Sequence, residues 1–327
     1  MEKYKFITHK NNNAYFNLAS EEYLLKRTDG YYVYLWINEP AVIVGVNQNA
    51  IEEVNLSFTE KEGIKVVRRL TGGGAVYHDL GNLCYTVIAP YDQSKNNYKE
   101  FTAPIIEYLY SLGVNAEFTG RNDLTVDGQK ISGNAQTIFN GRIMHHGTLL
   151  FNTDFTVLSK ALNPSKLKIE SKGIKSVRAR VTNISSHLKT PLTIEQFKKG
   201  LEEKFLKTCE HYEFNANDLS EIEKLVNEKY CKYEWNVGRS PKGKNQFTEK
   251  FDFGILTVNF DTENGLIKNP KIFGDFFSKK DVSDLEKMLD GVKFSKKEVE
   301  EALKNISEYI VNADAKVIVN AFYKASD

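Results

Sequence analysis

The stretch Arg68-Arg69-Leu70-Thr71-Gly72-Gly73-Gly74-Ala75-Val76-Tyr77-His78-Asp79 carries the residue types most able to hold a charged small molecule. It comes after the apolar β-branched run Ile64-Lys65-Val66-Val67 and leads into Leu83-Cys84-Tyr85-Thr86-Val87-Ile88, so it reads as a loop between strands. Three consecutive glycines remove every Cβ from one length of backbone, which lets a ligand reach the amide N–H groups and makes unusual φ values accessible. The two guanidinium groups before them add fixed charge in a fork geometry suited to phosphate or carboxylate. An anionic small molecule is the expected ligand. A P-loop needs Gly-Lys-Ser/Thr opening a helix, and a dinucleotide fingerprint needs its last glycine inside a helix; the residues after Gly74 are β-like, so neither fits. A plain glycine-rich turn with two solvated arginines is the bland alternative, and the flanking Arg-Arg and His-Asp pairs weigh against it.

A second chemical stretch runs from Asn122 through Asp123-Leu124-Thr125-Val126-Asp127-Gly128-Gln129-Lys130-Ile131-Ser132 to Gly133. Asp-Gly between β-like flanks predicts a two-residue type I′ hairpin that pairs Val126 with Gln129 and Thr125 with Lys130. Lys130 then stands on a rigid ladder, with Gly133 opening space beyond it. An ε-amine held against anionic groups is driven to its charged form, which has no lone pair, so Lys130 is expected to act electrostatically and not as a nucleophile. His145-His146 suggests a metal, but neighbours in a strand point to opposite faces and cannot easily share one ion. Core or supporting histidines are expected there. The same divergence argues against His78-Asp79 as an acid/base pair and leaves His78 as a pocket wall. Lys172-Gly173-Ile174-Lys175-Ser176-Val177-Arg178-Ala179-Arg180 carries four cations in nine residues, which alone would be a solvated loop or a weak nucleic-acid patch.

Taken together these residues resemble the lipoate-protein ligases of the wider biotin/lipoate ligase superfamily. The resemblance is carried by the glycine-rich stretch, by Gly120-Arg121-Asn122-Asp123-Leu124, Lys130-Ile131-Ser132-Gly133-Asn134-Ala135, His145-His146-Gly147-Thr148-Leu149 and Lys172-Gly173-Ile174-Lys175-Ser176-Val177-Arg178, in the family's order. It implies a bacterial-type enzyme that converts lipoate and Mg²⁺-ATP to lipoyl-AMP, then transfers the lipoyl group to a lysine of 2-oxoacid dehydrogenase E2 lipoyl domains or of the glycine cleavage H protein. By that resemblance Lys130 is the catalytic residue, touching both the lipoyl carboxylate and the α-phosphate. Arg69, Gly74, Ala75, Val76, Tyr77, Lys130, Lys172, Gly173, Ser176 and Arg178 would bind ATP or the adenylate, the 172–180 segment closing over the nucleotide. Gly72, Gly73, His78, Lys130, Gly133 and His146 would bind lipoate. Mg²⁺ would arrive with ATP, with Asp123 a possible ligand. The runner-up is an octanoyl or lipoyl transferase working through a cysteine thioester. No cysteine lies between Ile131 and Thr208, Ser165 stands where the nucleophile would be sought, and Cys84 sits in an apolar strand where an inert thiol is the default. A biotin ligase lacks support because a Gly-Arg-Gly-Arg-like loop is missing. A non-catalytic lipoate-binding or interaction module is the remaining alternative.

These residues need a scaffold, and 327 residues suit one large domain plus a small one. The fold class expected is α+β: a catalytic domain of mixed β-sheets flanked by helices, of the class II synthetase or biotin/lipoate ligase kind, over residues 1–237. A Gly/Pro-punctuated linker at 238–247 and a small α+β domain at 248–327 complete the chain. Residues 13–27 place Phe16, Ala19, Tyr23 and Leu24 on one helical face with Glu21 and Glu22 outside it, which reads as a surface helix. Residues 31–37 and 41–46 read as strands, with the runs near 64 and 83 joining their sheet, and 98–112 as a helix ended by Gly113. Gly45 marks a close backbone approach or a plain bend. Thr193 with Gln196, Ser220 with Glu223 and Ser295 with Glu298 have capping-box spacing. Strands at 251–260 and 266–273 around a turn, then helical segments 282–290 and 296–310, make up the small unit. A net charge of +1 gives no global attraction to nucleic acid or an anionic membrane, so any basic site must be local. There is no apolar leader and no stretch of eighteen apolar residues, and the three cysteines, Cys84, Cys209 and Cys231, match no metal spacing. A reducing cytoplasm is the expected location.

Overall fold

The computed structural model describes residues 3–94, 97–119, 122–163, 180–238 and 245–324, the last four as backbone only. In chain order the large domain contains β1 (Tyr4–Thr8), α1 (Ala14–Lys26), β2 (Tyr31–Ile37), β3 (Ala41–Val44), α2 (Ala50–Glu53), α3 (Leu56–Lys61), β4 (Lys65–Arg68), β5 (Val76–His78) and β6 (Asn82–Pro90). Next come α4 (Asn97–Ser111), β7 (Glu117–Thr119), β8 (Asp123–Val126), β9 (Gln129–Phe139), β10 (Arg142–Leu150), α5 (Phe155–Ala161), α6 (Ile194–Leu206), β11 (Glu210–His211) and α7 (Ala216–Leu225).

Among the described residues the strands form an eight-stranded sheet in the order β11-β1-β2-β6-β10-β9-β8-β7 and a three-stranded sheet in the order β4-β3-β5. The expectation that the runs near 64 and 83 share one sheet is therefore wrong in part. β2 and β6 pair in the large sheet, whereas β3 crosses out of it to pair with β4 and β5. The turn at Asn38-Glu39-Pro40 is where consecutive strands part, and periodicity carries no information about which sheet a strand joins.

One face of the large sheet is covered by α4 and α6 through Phe101, Ile105, Leu109, Phe197 and Leu201. The other face packs on α1, which is pressed in turn against the small sheet through Ile43 and Val67 and against the 216–230 helical segment through Ile222 and Tyr230. The helix is thus central and not a surface element. Leu18, Ala19, Leu24 and Leu25 are all buried, and Glu21 and Glu22 are each only 2% exposed. Glu22 is compensated by Lys26 at 2.6 Å, Lys229 at 2.7 Å and the Tyr230 hydroxyl at 2.7 Å.

Local rules hold well where the interaction is local. Thr193 and Gln196 form the expected capping box on α6. α4 ends before Gly113 at φ 81°. The box read at Ser220 is instead formed earlier, by Asn215 and Asp218, and Ser220 lies inside α7; Ser295 caps its helix by position without a side-chain bond.

The small domain consists of β12 (Asn245–Phe251), β13 (Gly254–Glu263) and β14 (Leu266–Gly274), an antiparallel meander, with α8 (Ser283–Leu289), α9 (Lys296–Ala302) and α10 (Ala315–Lys324). β12 begins inside the segment read as linker. Phe247, Leu256, Phe260, Ile272, Leu285, Val299 and Val319 make up its own apolar core. It meets the large domain at Gly274 N–H to the Asn47 carbonyl (2.6 Å), Asn47 Nδ2 to Ser278 Oγ (3.0 Å) and Gln246 Nε2 to Glu52 Oε1 (3.3 Å).

Candidate active site

The glycine-rich loop joins β4 to β5, and both arginines at its start are buried, Arg68 to 1% and Arg69 to 6% exposure. Arg68 donates to the carbonyls of Trp235, Gly45, Val46, Gln48 and Asn236. Arg69 donates to Thr71 Oγ1 at 2.9 Å and to the carbonyls of Ile43, Gly72 and Gly74 at 3.1, 2.6 and 2.9 Å. A guanidinium has five donors in a fixed plane, so each arginine stitches several carbonyls into one rigid unit. The reading of Arg69 as a phosphate ligand meets this geometry: four of its donor contacts shape the loop from behind, and burial lowers its pKa to about 10 without discharging it near neutrality.

The glycines are of two kinds. A Cβ on Gly45 would lie 2.2 Å from the Gly73 carbonyl oxygen, so the alternative of a plain bend there gives way to a close backbone approach. A Cβ on Gly72 would lie 2.4 Å from the carbonyl oxygen of Phe276 in the small domain, and that oxygen also accepts from the Gly73 N–H at 3.4 Å. Gly72 and Gly73, expected to line the lipoate site, are thus partly covered here by the small domain. Gly74 is open, with nothing within 4 Å of the Cβ direction. Val76 and Tyr77 pair with Ile43 and Val42, which fixes the far end of the loop in the small sheet.

A buried polar chain ties this loop to the core. Thr71 Oγ1 lies 2.8 Å from His146 Nε2, His146 Nδ1 lies 2.9 Å from Glu21 Oε1, and the same carboxylate oxygen accepts from Thr86 Oγ1 at 2.5 Å. Trp36 Nε1 donates to Thr86 Oγ1 at 3.0 Å. His146, expected to contact lipoate, has both ring nitrogens engaged with protein groups. Glu21 was not legible as part of the site; the one available signal is a helix whose apolar residues surround its whole circumference, which indicates burial of whatever lies between them.

The 122–133 stretch folds as expected. Asp127 and Gly128 have φ of 50° and 74°, both positive as a type I′ turn requires, and the register pairs Thr125 with Lys130 and Val126 with Gln129. Lys130 Nζ forms an ion pair with Asp123 Oδ1 at 2.7 Å, the two side chains being 33% and 37% exposed. A Cβ on Gly133 would lie 2.7 Å from Lys130 Nζ, so the absence of a side chain at 133 is what lets the ammonium lie across the sheet. The Lys130 carbonyl also accepts from Thr182 N–H at 3.0 Å, where the chain returns beside the hairpin.

Strand alternation places loop and hairpin on one face. Asp123 pairs with Gly133, Gly133 N–H donates to Thr148 Oγ1 at 3.1 Å, and Thr148 and His146 are two residues apart on β10. Residues paired across a ladder, or two apart along a strand, share a face, so the Lys130–Asp123 pair and the His146–Thr71 contact stand on the same side of the sheet. His145 points the other way, against Tyr98 and Phe101, and accepts at Nδ1 from Gln136 at 3.0 Å; burial pushes its pKa down to about 3. The expectation that the two histidines diverge is met.

His78 and Asp79 also diverge. His78 accepts from Asn38 Nδ2 at 3.1 Å, lies against Trp36, and is held near pKa 3 by burial and then by Arg69 and His146. It is buried at the end of β5. Asp79 accepts from the backbone of Gly81 and Asp154, capping a turn. Cys84 is buried with its thiol pushed well above the usual range, and its nearest polar neighbours are Asn82 and His78. Lys172, Gly173, Ser176 and Arg178, and Ser165, fall outside the described residues. No cluster of three metal-binding side chains occurs among those that are described, and Asp123 offers a single carboxylate already paired with Lys130.

The chain that carries this arrangement has counterparts among known proteins. Residues 13–206 match the lipoyl protein ligase A/B catalytic domain and residues 240–322 the bacterial lipoate protein ligase C-terminus. The chain belongs to the lipoate–protein ligase family. Lipoate–protein ligase 1 of Staphylococcus aureus is 48% identical over 315 residues, covering 93% of this chain and 94% of that protein. The crystal structure of P. falciparum LipL1 in complex with lipoate superposes with a TM-score of 0.79 at 29% identity, over 99% of each chain. A lipoate-protein ligase A bound with ATP superposes with a TM-score of 0.62 at 27% identity, over 73% of this chain and 99% of that one.

Proposed function

We propose that this chain activates free lipoate with ATP to lipoyl-AMP and passes the lipoyl group to a lysine of an acceptor protein. The observation that carries this reading is Lys130: a partly exposed ammonium, held on a type I′ hairpin over Gly133, paired with Asp123 and with the open Gly74 loop on the same face. A carboxylate does not acylate an amine at neutral pH. Its oxygen first attacks the α-phosphorus of ATP, pyrophosphate leaves, and the mixed anhydride forms; the acceptor amine then attacks the acyl carbon, releasing AMP and a proton.

Charge develops on the phosphoryl oxygens in the first step. Lys130 and the open amides around Gly74 stabilise that charge from fixed positions, with no reorganisation at the moment of reaction. The Asp123 carboxylate, paired with Lys130 at 2.7 Å, aims the ammonium until the substrate anions arrive. Mg²⁺ bound with the triphosphate would screen the departing pyrophosphate; Mg²⁺ keeps most of its water and takes one or two carboxylates beside phosphates, a role the lone Asp123 fits only as a partial ligand. Lys172, Gly173, Ser176 and Arg178 are proposed, from the family resemblance, to close over the adenylate and exclude water. Acceptors of the proposed reaction are lipoyl domains of 2-oxoacid dehydrogenase E2 subunits and the glycine cleavage H protein.

The test is to incubate the protein with lipoate, Mg²⁺-ATP and apo acceptor domains, following AMP release and acceptor mass. A mass gain of one lipoyl group with stoichiometric AMP is expected; absence of any adenylate would sink the reading. Burial of Cys84 disfavours the thioester alternative, and Cys84→Ser should keep turnover within about twofold of the native chain.

A further inference from the structure

We propose that the buried chain Trp36–Thr86–Glu21–His146–Thr71–Arg69 is a positioning device that locks His146 as its Nδ1–H tautomer and thereby holds the glycine-rich loop in the geometry adenylate formation needs.

The hydrogen-bond directions in the chain follow from its three single-role groups: two donors at the ends and a carboxylate acceptor between them. An indole Nε1 and a guanidinium Nε can only donate. Trp36 Nε1 therefore donates to Thr86 Oγ1, whose own proton goes to Glu21 Oε1. At the other end Arg69 Nε donates to Thr71 Oγ1, which keeps its own proton to give. The Glu21 carboxylate only accepts, so His146 Nδ1 carries the hydrogen and donates to Glu21 Oε1 at 2.9 Å, and Nε2 of the neutral ring accepts from the Thr71 hydroxyl at 2.8 Å. Free imidazole favours the opposite, Nε2–H tautomer, so the carboxylate and the threonine hydroxyl together select the less common form.

The consequence falls on the loop. The guanidinium that donates to Thr71 also holds the carbonyls of Gly72 and Gly74, so its position sets where the loop amides point. Thr71 is fully buried and Glu21 nearly so, which leaves no water to replace a lost partner. Glu21 and Thr71 act through other groups: they are positioning residues and not catalytic ones. Their role rests on the ligase reading for its kinetic consequence, whereas the tautomer stands independently of it.

The experiment uses the full chain. Thr71→Val removes the hydroxyl at constant shape, and Thr71→Ser retains it. In lipoate-dependent ATP–pyrophosphate exchange, Thr71→Val should lose about 10- to 100-fold in kcat with KM little changed, and Thr71→Ser should recover most of the rate. Ring ¹⁵N spectra of wild-type protein should show His146 protonated at Nδ1, and Glu21→Leu should shift it toward Nε2–H. A folded Thr71→Val protein at wild-type kcat, a Thr71→Ser protein that fails to recover, or an Nε2–H ring in the wild type would overturn the proposal. Wild-type protein that shows the Nδ1–H ring but no exchange would defeat the ligase reading while supporting the tautomer lock; an Nε2–H ring beside normal exchange would do the reverse.

Discussion

Among the described residues, Arg68, Arg69 and Lys130 are the cations of the glycine-rich loop and the hairpin, and the two regions that carry them use charge in opposite ways. At the start of the β4–β5 loop, Arg68 and Arg69 are buried and bonded to backbone carbonyls on several sides. On the β8–β9 hairpin, Lys130 is about one-third exposed with one carboxylate beside it. The difference comes from chemistry: a planar five-donor fork can satisfy many carbonyls at once and tolerates burial, whereas an ammonium on a flexible stem keeps three rotatable donors and exchanges partners readily. Cations next to a glycine-rich loop therefore build it, and the charge proposed to face the ligand comes from a hairpin some sixty residues further along the chain.

Lys130→Ala is the sharpest test of that contrast. Adenylate formation should fall by about 10² to 10³-fold or more, while the denaturation midpoint hardly moves, because a partly exposed ion pair contributes little to stability. Arg68→Met should behave in the reverse manner. Five carbonyls, three of them in buried residues, lose the guanidinium donor, and urea melts should show a loss on the order of 3 to 5 kcal/mol. Equal kinetic defects per folded molecule in the two variants would break the comparison.

The glycines separate along the same line. Gly45→Ala would drive a methyl into the Gly73 carbonyl and should cost about 1 to 3 kcal/mol together with activity. Gly74→Ala meets no atom of the protein, so stability should change by less than about 0.5 kcal/mol. ATP titration should nevertheless weaken, since the methyl would stand where the ligand approaches the amide; unchanged affinity in Gly74→Ala would remove the loop from the nucleotide site.

A separate test concerns pH. His78 beneath the loop and His145 behind the hairpin are each held near pKa 3, against 6.5 in the unfolded chain, by burial first. Between those values the unfolded chain binds protons that the native state refuses. Stability from this source is whole above pH 6.5 and is lost as the pH falls toward 3, with a slope of up to about 1.4 kcal/mol per pH unit for each histidine. Urea melts at stepped pH should show this decline, and His145→Gln should remove one proton from the slope.

Much of the site could be read from the letters because its determinants are local. Asp127-Gly128 dictated a turn with two positive φ values, the turn dictated the register, and the register put Lys130 beside a glycine. The alternation of a strand separated His145 from His146 in advance. Glu21 escaped the same reasoning. A single apolar stripe was assumed for α1, and a second layer, the β4-β3-β5 sheet, turned the opposite stripe inward as well.

What the sequence determined by itself was the set of short-range features: the hairpin and its lysine, the three glycines, the helix ends at Thr193 and Gly113, and the family motifs in their order. Which sheet β3 joins, that both arginines turn inward, that Glu21 meets His146 across the core, and that Phe276 of the small domain covers Gly72 were decided only by the tertiary structure. The reason is the range of the interaction. Turns, caps and strand alternation are settled within a few residues of backbone, whereas burial of a polar side chain depends on partners from other elements, such as His146, which meets Glu21 from 125 positions away, and no local pattern encodes that approach.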